Sequence, residues 1–138
     1  MNERASFLCD TAGETLTVYI RGEIDHHTAV KVRNGIDAVL FEKRPARLIL
    51  DLSEVGFMDS SGLGLIMGRL SVMRSLNGAM CLRDPSRETE TILSLAGMER
   101  LISVEYTRER PEPPAKKPVS KGKRTSTRRK TGRSDNSA

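Results

Sequence analysis

Apolar and polar residues alternate from Thr15 to Arg21, where Leu16, Val18 and Ile20 interleave with Thr17 and Tyr19. A period of two predicts a half-buried strand. The shorter apolar run from Phe7 to Asp10, turned back at Gly13, predicts its hairpin partner. Further along, Ala29, Val32, Ile36, Val39 and Leu40 repeat at helical spacing. They predict an amphipathic helix that begins near Asp25 and ends near Lys43 to Pro45.

Arg47-Leu48-Ile49-Leu50-Asp51-Leu52 is almost continuously apolar, as expected of a central strand covered by its neighbours. A second helix follows Phe57-Met58-Asp59-Ser60-Ser61-Gly62, with Leu63, Ile66, Met67, Leu70 and Met73 as its core stripe, and stops at Asn77-Gly78. Ala79 to Leu82 predicts another strand. Asp84-Pro85-Ser86 starts a third helix, which Gly97 ends in left-handed backbone. Ile102 to Tyr106 is a last short strand. This order predicts a single α/β domain with a mixed open sheet, antiparallel at its start and then mostly parallel, with helices packed against it by right-handed crossovers.

Charge changes the picture at one point. Residues 1–107 hold 12 Lys and Arg against 15 Asp and Glu, about −3, whereas residues 108–138 hold 11 against 3, about +8. The overall +5 therefore hides an acidic body with a basic extension. The Lys, Arg, Pro and Ser of residues 108–138 cannot offset their ordering entropy, so the domain is expected to span 1–107 and the tail to be disordered. Lys116-Lys117, Lys123-Arg124 and Arg128-Arg129-Lys130 suit weak, nonspecific contact with nucleic-acid phosphates, without aromatic residues for base stacking.

Cys9 and Cys81 lie in apolar, strand-like runs, where a thiol behaves as a small buried hydrophobe. A reduced, cytoplasmic protein is expected. Met1 to Ser6 leads into no apolar signal region, and no run approaches the roughly 20 apolar residues that span a bilayer, so no membrane association is expected.

Candidate chemistry concentrates in Asp59-Ser60-Ser61-Gly62-Leu63-Gly64, where two hydroxyls and a carboxylate meet a helix start. Unpaired N–H groups and partial positive charge there tolerate a phosphate. Phosphorylation of Ser60 would add about −1.5 to −2 charges beside Asp59. Asp and Ser are also preferred N-caps, so the same residues suit a helix start with no further role. Gly62, Gly64 and Gly68 each cost about 1 kcal/mol relative to alanine within a helix, a sign of close approach. Leu65, Val72 and Leu76 form a second apolar stripe, either a partner surface or the second side of a helix buried twice.

Asp25, His26 and His27 mark the start of the first helix, with Asp25 as its N-cap. Adjacent histidines point apart, and no His at i+4 and no nearby Cys completes a metal set. Loops that follow neighbouring strands of an open α/β sheet share one edge, so Asp25 is expected beside Ser60. The chain has no nucleophile elbow, no phosphate-binding loop and no dinucleotide motif, and nothing supplies a third group for a Ser60–His pair. No catalytic residue and no cofactor is expected.

Gly22-Glu23-Ile24-Asp25-His26-His27-Thr28-Ala29 and Phe57-Met58-Asp59-Ser60-Ser61-Gly62-Leu63-Gly64 together resemble the anti-sigma factor antagonist family. The resemblance runs over roughly residues 6 to 106 and is strongest to the sporulation branch. The domain of that family, the STAS domain, is shared with sulfate transporter tails. The resemblance implies a STAS-like fold and a partner switch. The unphosphorylated protein binds an anti-sigma factor that is also a serine kinase, which releases a sigma factor for transcription. The kinase uses ATP to phosphorylate the first serine of Asp-Ser-Ser-Gly, here Ser60, which ends binding, and a PP2C-type phosphatase restores it. Asp25 and Asp59 fall on the implied recognition surface, and His26, Ser61, Gly62, Leu63, Gly64 and Leu65 are expected to share it. The basic tail departs from short family members. The sequence also admits two other readings: a constitutive scaffold or transport-system subunit in which Ser60 is only a cap, and a nucleic-acid-associated protein that works through its tail.

Overall fold

The computed structural model describes residues 5–107. Alternation of apolar residues builds β1 (Ala5–Ala12) and β2 (Thr15–Ile24), which form an antiparallel hairpin turned at Gly13, φ 61°. Three crossover units follow: α1 (His26–Lys43) leads to β3 (Arg47–Met58), α2 (Ser60–Ser75) to β4 (Ala79–Arg83), and α3 (Arg87–Leu95) to β5 (Ser103–Glu105). A single 3-10 turn, Met98–Arg100, precedes β5. The strands lie side by side in chain order, and β2 to β5 are parallel. Every crossover thus steps the same way, and right-handed connections put all three helices on one face.

That face carries the core. Leu16, Val18 and Ile20 of β2 and Leu48, Leu50 and Leu52 of β3 join Val32, Ile36 and Leu40 of α1 and Ile66, Leu70 and Met73 of α2 in one buried cluster. Residues between them on the strands point the other way and form polar links. Arg83 Nε donates to Asp51 Oδ2 at 3.0 Å and its NH2 to the Tyr19 hydroxyl at 3.3 Å. Arg47 and the Cys81 thiol both donate to Glu105 Oε2, at 2.9 and 3.0 Å.

The predicted order of elements holds, and Gly97 adopts the expected left-handed backbone, φ 73°. Four details differ. First, β3 continues past Leu52 to Met58. From Tyr19 to Ile24 of β2, β3 advances from Asp51 to Met58, two residues more, and the surplus is taken up at two register shifts, one beside Gly22 with φ 102°. Because β4 pairs only with Arg47 to Asp51, the second half of β3 has a neighbour on one side alone and lacks the continuous apolar pattern.

Second, the buried side of α2 consists of Gly62, Leu65, Ile66, Arg69, Leu70 and Met73, while Leu63 is half-buried and Met67 exposed. The helix packs on β3 and β4 and also against α1, so its buried arc is wide. Leu65, 3% exposed, is core, and Val72 and Leu76 pack partly buried against the same cluster. The second stripe is therefore the other buried side of α2. Third, Cys9 is exposed, because β1 is an edge strand whose helix contact is made near Phe7, which packs on Gly35. Fourth, the last strand is Ser103–Glu105, shorter than expected. The expectation for 108–138 lies outside the described residues. Among those described, no helix is long and apolar enough to cross a membrane.

Candidate functional site

Two helix N-termini meet at the ends of β2 and β3. Asp25 caps α1: its Oδ1 accepts from the backbone N–H of His27 and Thr28, each at 3.0 Å, while Thr28 Oγ1 accepts from the Asp25 N–H at 2.9 Å. This reciprocal capping box satisfies donors that the first turn would otherwise leave unpaired. The Thr28 hydroxyl also donates to the Glu23 carbonyl at 2.8 Å, tying the cap to the end of β2. Asp59 caps α2, its Oδ1 accepting from the Ser61 N–H at 2.7 Å.

The two register shifts absorb the surplus of β3, so these caps lie level. Ile24 pairs with Met58, and the Asp59 N–H donates to the Ile24 carbonyl at 3.1 Å, so Asp25 and Asp59 each follow the last paired residue of adjacent parallel strands. Ser60 is then the first residue of α2. Its side chain is exposed and takes part in none of the hydrogen bonds among the described residues, including any to His26 or His27. The two imidazoles are exposed and meet edge to face, with centroids 5.7 Å apart.

His26 and Ser61 line one groove of about 280 Å³ between α1 and α2. The structure thus gathers Asp25, His26, Asp59, Ser60, Ser61 and Gly64 into one patch. Leu63 is half-buried beside it, and Leu65 forms the groove floor within the core. Gly62 is buried for an internal reason: a Cβ there would collide with Met58 Cγ and Sδ. Val30 and Arg33 also line the groove and were not anticipated. Their signal was present, since His26, Val30 and Arg33 follow one another at i, i+4 and i+7 along a single helix face.

Chemically, the patch offers the exposed primary hydroxyl of Ser60 at a helix N-terminus, with the half-buried Ser61 hydroxyl next to it. The partial positive charge of the helix end favours an anion at that hydroxyl, whereas the Asp25 and Asp59 carboxylates make the surrounding rim negative. A phosphate there would sit on a favourable local site and present a strongly anionic surface outward.

A family model of the STAS domain matches residues 7–110 of the chain. The anti-sigma F factor antagonist of Paenibacillus polymyxa is 33% identical over 89 residues, which covers 64% of this chain and 76% of that protein. Among solved structures, the anti-sigma factor antagonist SpoIIAA in its unphosphorylated form superposes with a TM-score of 0.63 at 26% identity, over 72% of this chain and 87% of the other. The phosphorylated form of the Bacillus cell fate determinant SpoIIAA gives 0.58 at 27% identity, over 72% and 90%. From the paired caps, the sheet order and these likenesses, the chain belongs to the STAS domain family.

Proposed function

We propose that this protein is an anti-sigma factor antagonist whose binding to an anti-sigma factor with serine kinase activity is ended by phosphorylation of Ser60. The observation that carries the reading is the exposed Ser60 hydroxyl at the first position of α2, between the Asp59 cap and the neighbouring loop of Asp25. Relatives named as anti-sigma factor antagonists, one of them solved in both unphosphorylated and phosphorylated forms, support it. In this reading the unmodified patch occupies the anti-sigma factor and frees a sigma factor for transcription in the cytoplasm, in a sporulation pathway. A PP2C-type phosphatase resets the cycle. The kinase supplies ATP and metal, and this chain contributes the acceptor.

No large refolding is needed. A micromolar complex is lost for a few kcal/mol, which a dianion supplies through repulsion by carboxylates and the cost of removing its hydration at an interface. The test incubates the protein with ATP, magnesium and the anti-sigma kinase of the same genome, then maps the modification by intact mass and peptide sequencing. One phosphoryl group on Ser60, absent from Ser60→Ala, with Ser60→Asp unable to bind, is expected. A stable complex with no modification would instead make the protein a constitutive binding module.

A further inference from the structure

Glycine inside a helix destabilises it, so each helical glycine should have a reason. Gly62 has one in Met58. Gly64 and Gly68 have none among the described residues: a Cβ at either position meets nothing within 4 Å. Gly64 is exposed in the wall of the α1–α2 groove, facing Ala29, Val30 and Arg33 across the Leu65 floor. Val30 leaves 41% of its surface in solvent. The exposed Arg33 guanidinium reaches only the amide oxygen of its neighbour Asn34, at 3.4 Å, among the described residues. The nearby Arg69 is already matched by Asp37. The groove thus combines apolar walls with one cation, Arg33, that forms no ion pair among the described residues.

We propose that this groove receives an apolar side chain and an adjacent carboxylate from the anti-sigma factor, with Gly64 leaving the room and Arg33 drawing the carboxylate. The inference rests on the reading of Ser60 given above, and the groove runs to Ser61, so a segment seated in it passes the phosphorylation site. It requires opposite signs for two measurements. Filling Gly64 removes a helix-weakening residue from the free protein and obstructs the partner, whereas a glycine needed for internal packing would lower both stability and affinity when replaced.

The experiment uses the full chain and the anti-sigma kinase of the same genome, with affinity by calorimetry and stability by thermal melting. Gly64→Ala is expected to raise the melting temperature by about 4–8 °C and to weaken binding about tenfold. Gly64→Leu should bind more weakly still without melting below the parent. Gly68→Ala, on the same helix but outside the groove, should gain stability with affinity held within about twofold. Arg33→Glu should weaken binding about tenfold with no loss of stability. Undiminished affinity in Gly64→Leu overturns the groove, and a lower melting temperature in Gly64→Ala overturns the premise. Loss of binding in Ser60→Asp alongside full binding in Gly64→Leu removes the groove and leaves the switch standing. The reverse pattern removes the switch, and a parent protein that fails to bind the kinase overturns both.

Discussion

Asp37→Ala should be among the most damaging single changes on the helical layer. Arg69 of α2 is 4% exposed, and its Nε lies 2.7 Å from Asp37 Oδ1 on α1, while NH2 donates to Oδ2 at 3.3 Å and NH1 to the Leu65 carbonyl at 3.3 Å. Nε and Oδ1 are too poorly aligned for a directed hydrogen bond, so that contact is electrostatic. Burial pulls the Arg69 pKa below its usual value, and Asp37 acts in the opposite direction. Removing the carboxylate strands a guanidinium in the core, a loss of about 3–5 kcal/mol for a fully buried pair. Asp37 keeps 27% of its side chain exposed, which lets water reach the vacated place and sets the expectation near the lower end, about 3 kcal/mol. Arg69→Met removes the buried charge and leaves a carboxylate that water can still reach, so about 1 kcal/mol is expected. The double variant should resemble Arg69→Met, giving a coupling of about 3 kcal/mol. Urea unfolding followed by far-ultraviolet circular dichroism measures all three, with unchanged slopes confirming a common unfolding reaction. Equal losses from the two single variants, or strict additivity, would refute this account of the pair.

Four further outcomes follow from the structure. Asp25→Ala should lose about 0.5–2 kcal/mol in urea unfolding through the broken capping box, while Asp25→Asn retains most of it. Gly62→Ala should destabilise by about 1 kcal/mol, because overpacking against the buried Met58 outweighs the helix gain; its effect on the melting temperature is therefore opposite to that of Gly64→Ala. The Cys81 pKa is pushed up to about 11, first by burial and then by its hydrogen bond to Glu105, so near pH 8 an alkylating reagent should modify exposed Cys9 and spare Cys81 in the folded protein. Its raised value also makes folding favour the protonated thiol: this contribution is full below the unfolded pKa of 9.0, is lost as pH rises towards about 11, and should vanish from the pH–stability curve of Cys81→Ala.

Much of this architecture was legible because local rules agreed with one another. Alternation in β2, the apolar run at the start of β3 and the capping residues Asp25, Asp59 and Ser86 all mark elements that the structure contains. The meeting of the Asp25 and Asp59 loops was also legible, since it follows from parallel order alone. What escaped depended on neighbours distant in sequence. Ser53 to Met58 looks like a turn until β2 is present to pair with it. Cys9 has the apolar flanks of a buried strand, yet lies on an uncovered part of an edge. Leu65 could be assigned to a side of α2 only once both the sheet and α1 were in place, and the same contact explains why a charged Arg69 is buried there.

The two surplus residues of β3 act as a bend. Each register shift inserts one residue of β3 that has no counterpart on β2, which curves the strand and raises its local twist without lengthening the ladder. Deleting both, one between Asp51 and Glu54 and one between Val55 and Phe57, would leave a complete sheet whose strand ends are still level, with the Asp25 and Asp59 loops still neighbours. The end of β3 would be straighter, however, and α2 would leave it in another direction. Strand curvature, rather than any single side chain, therefore aims Ser60, so such a deletion can silence recognition while sparing the fold.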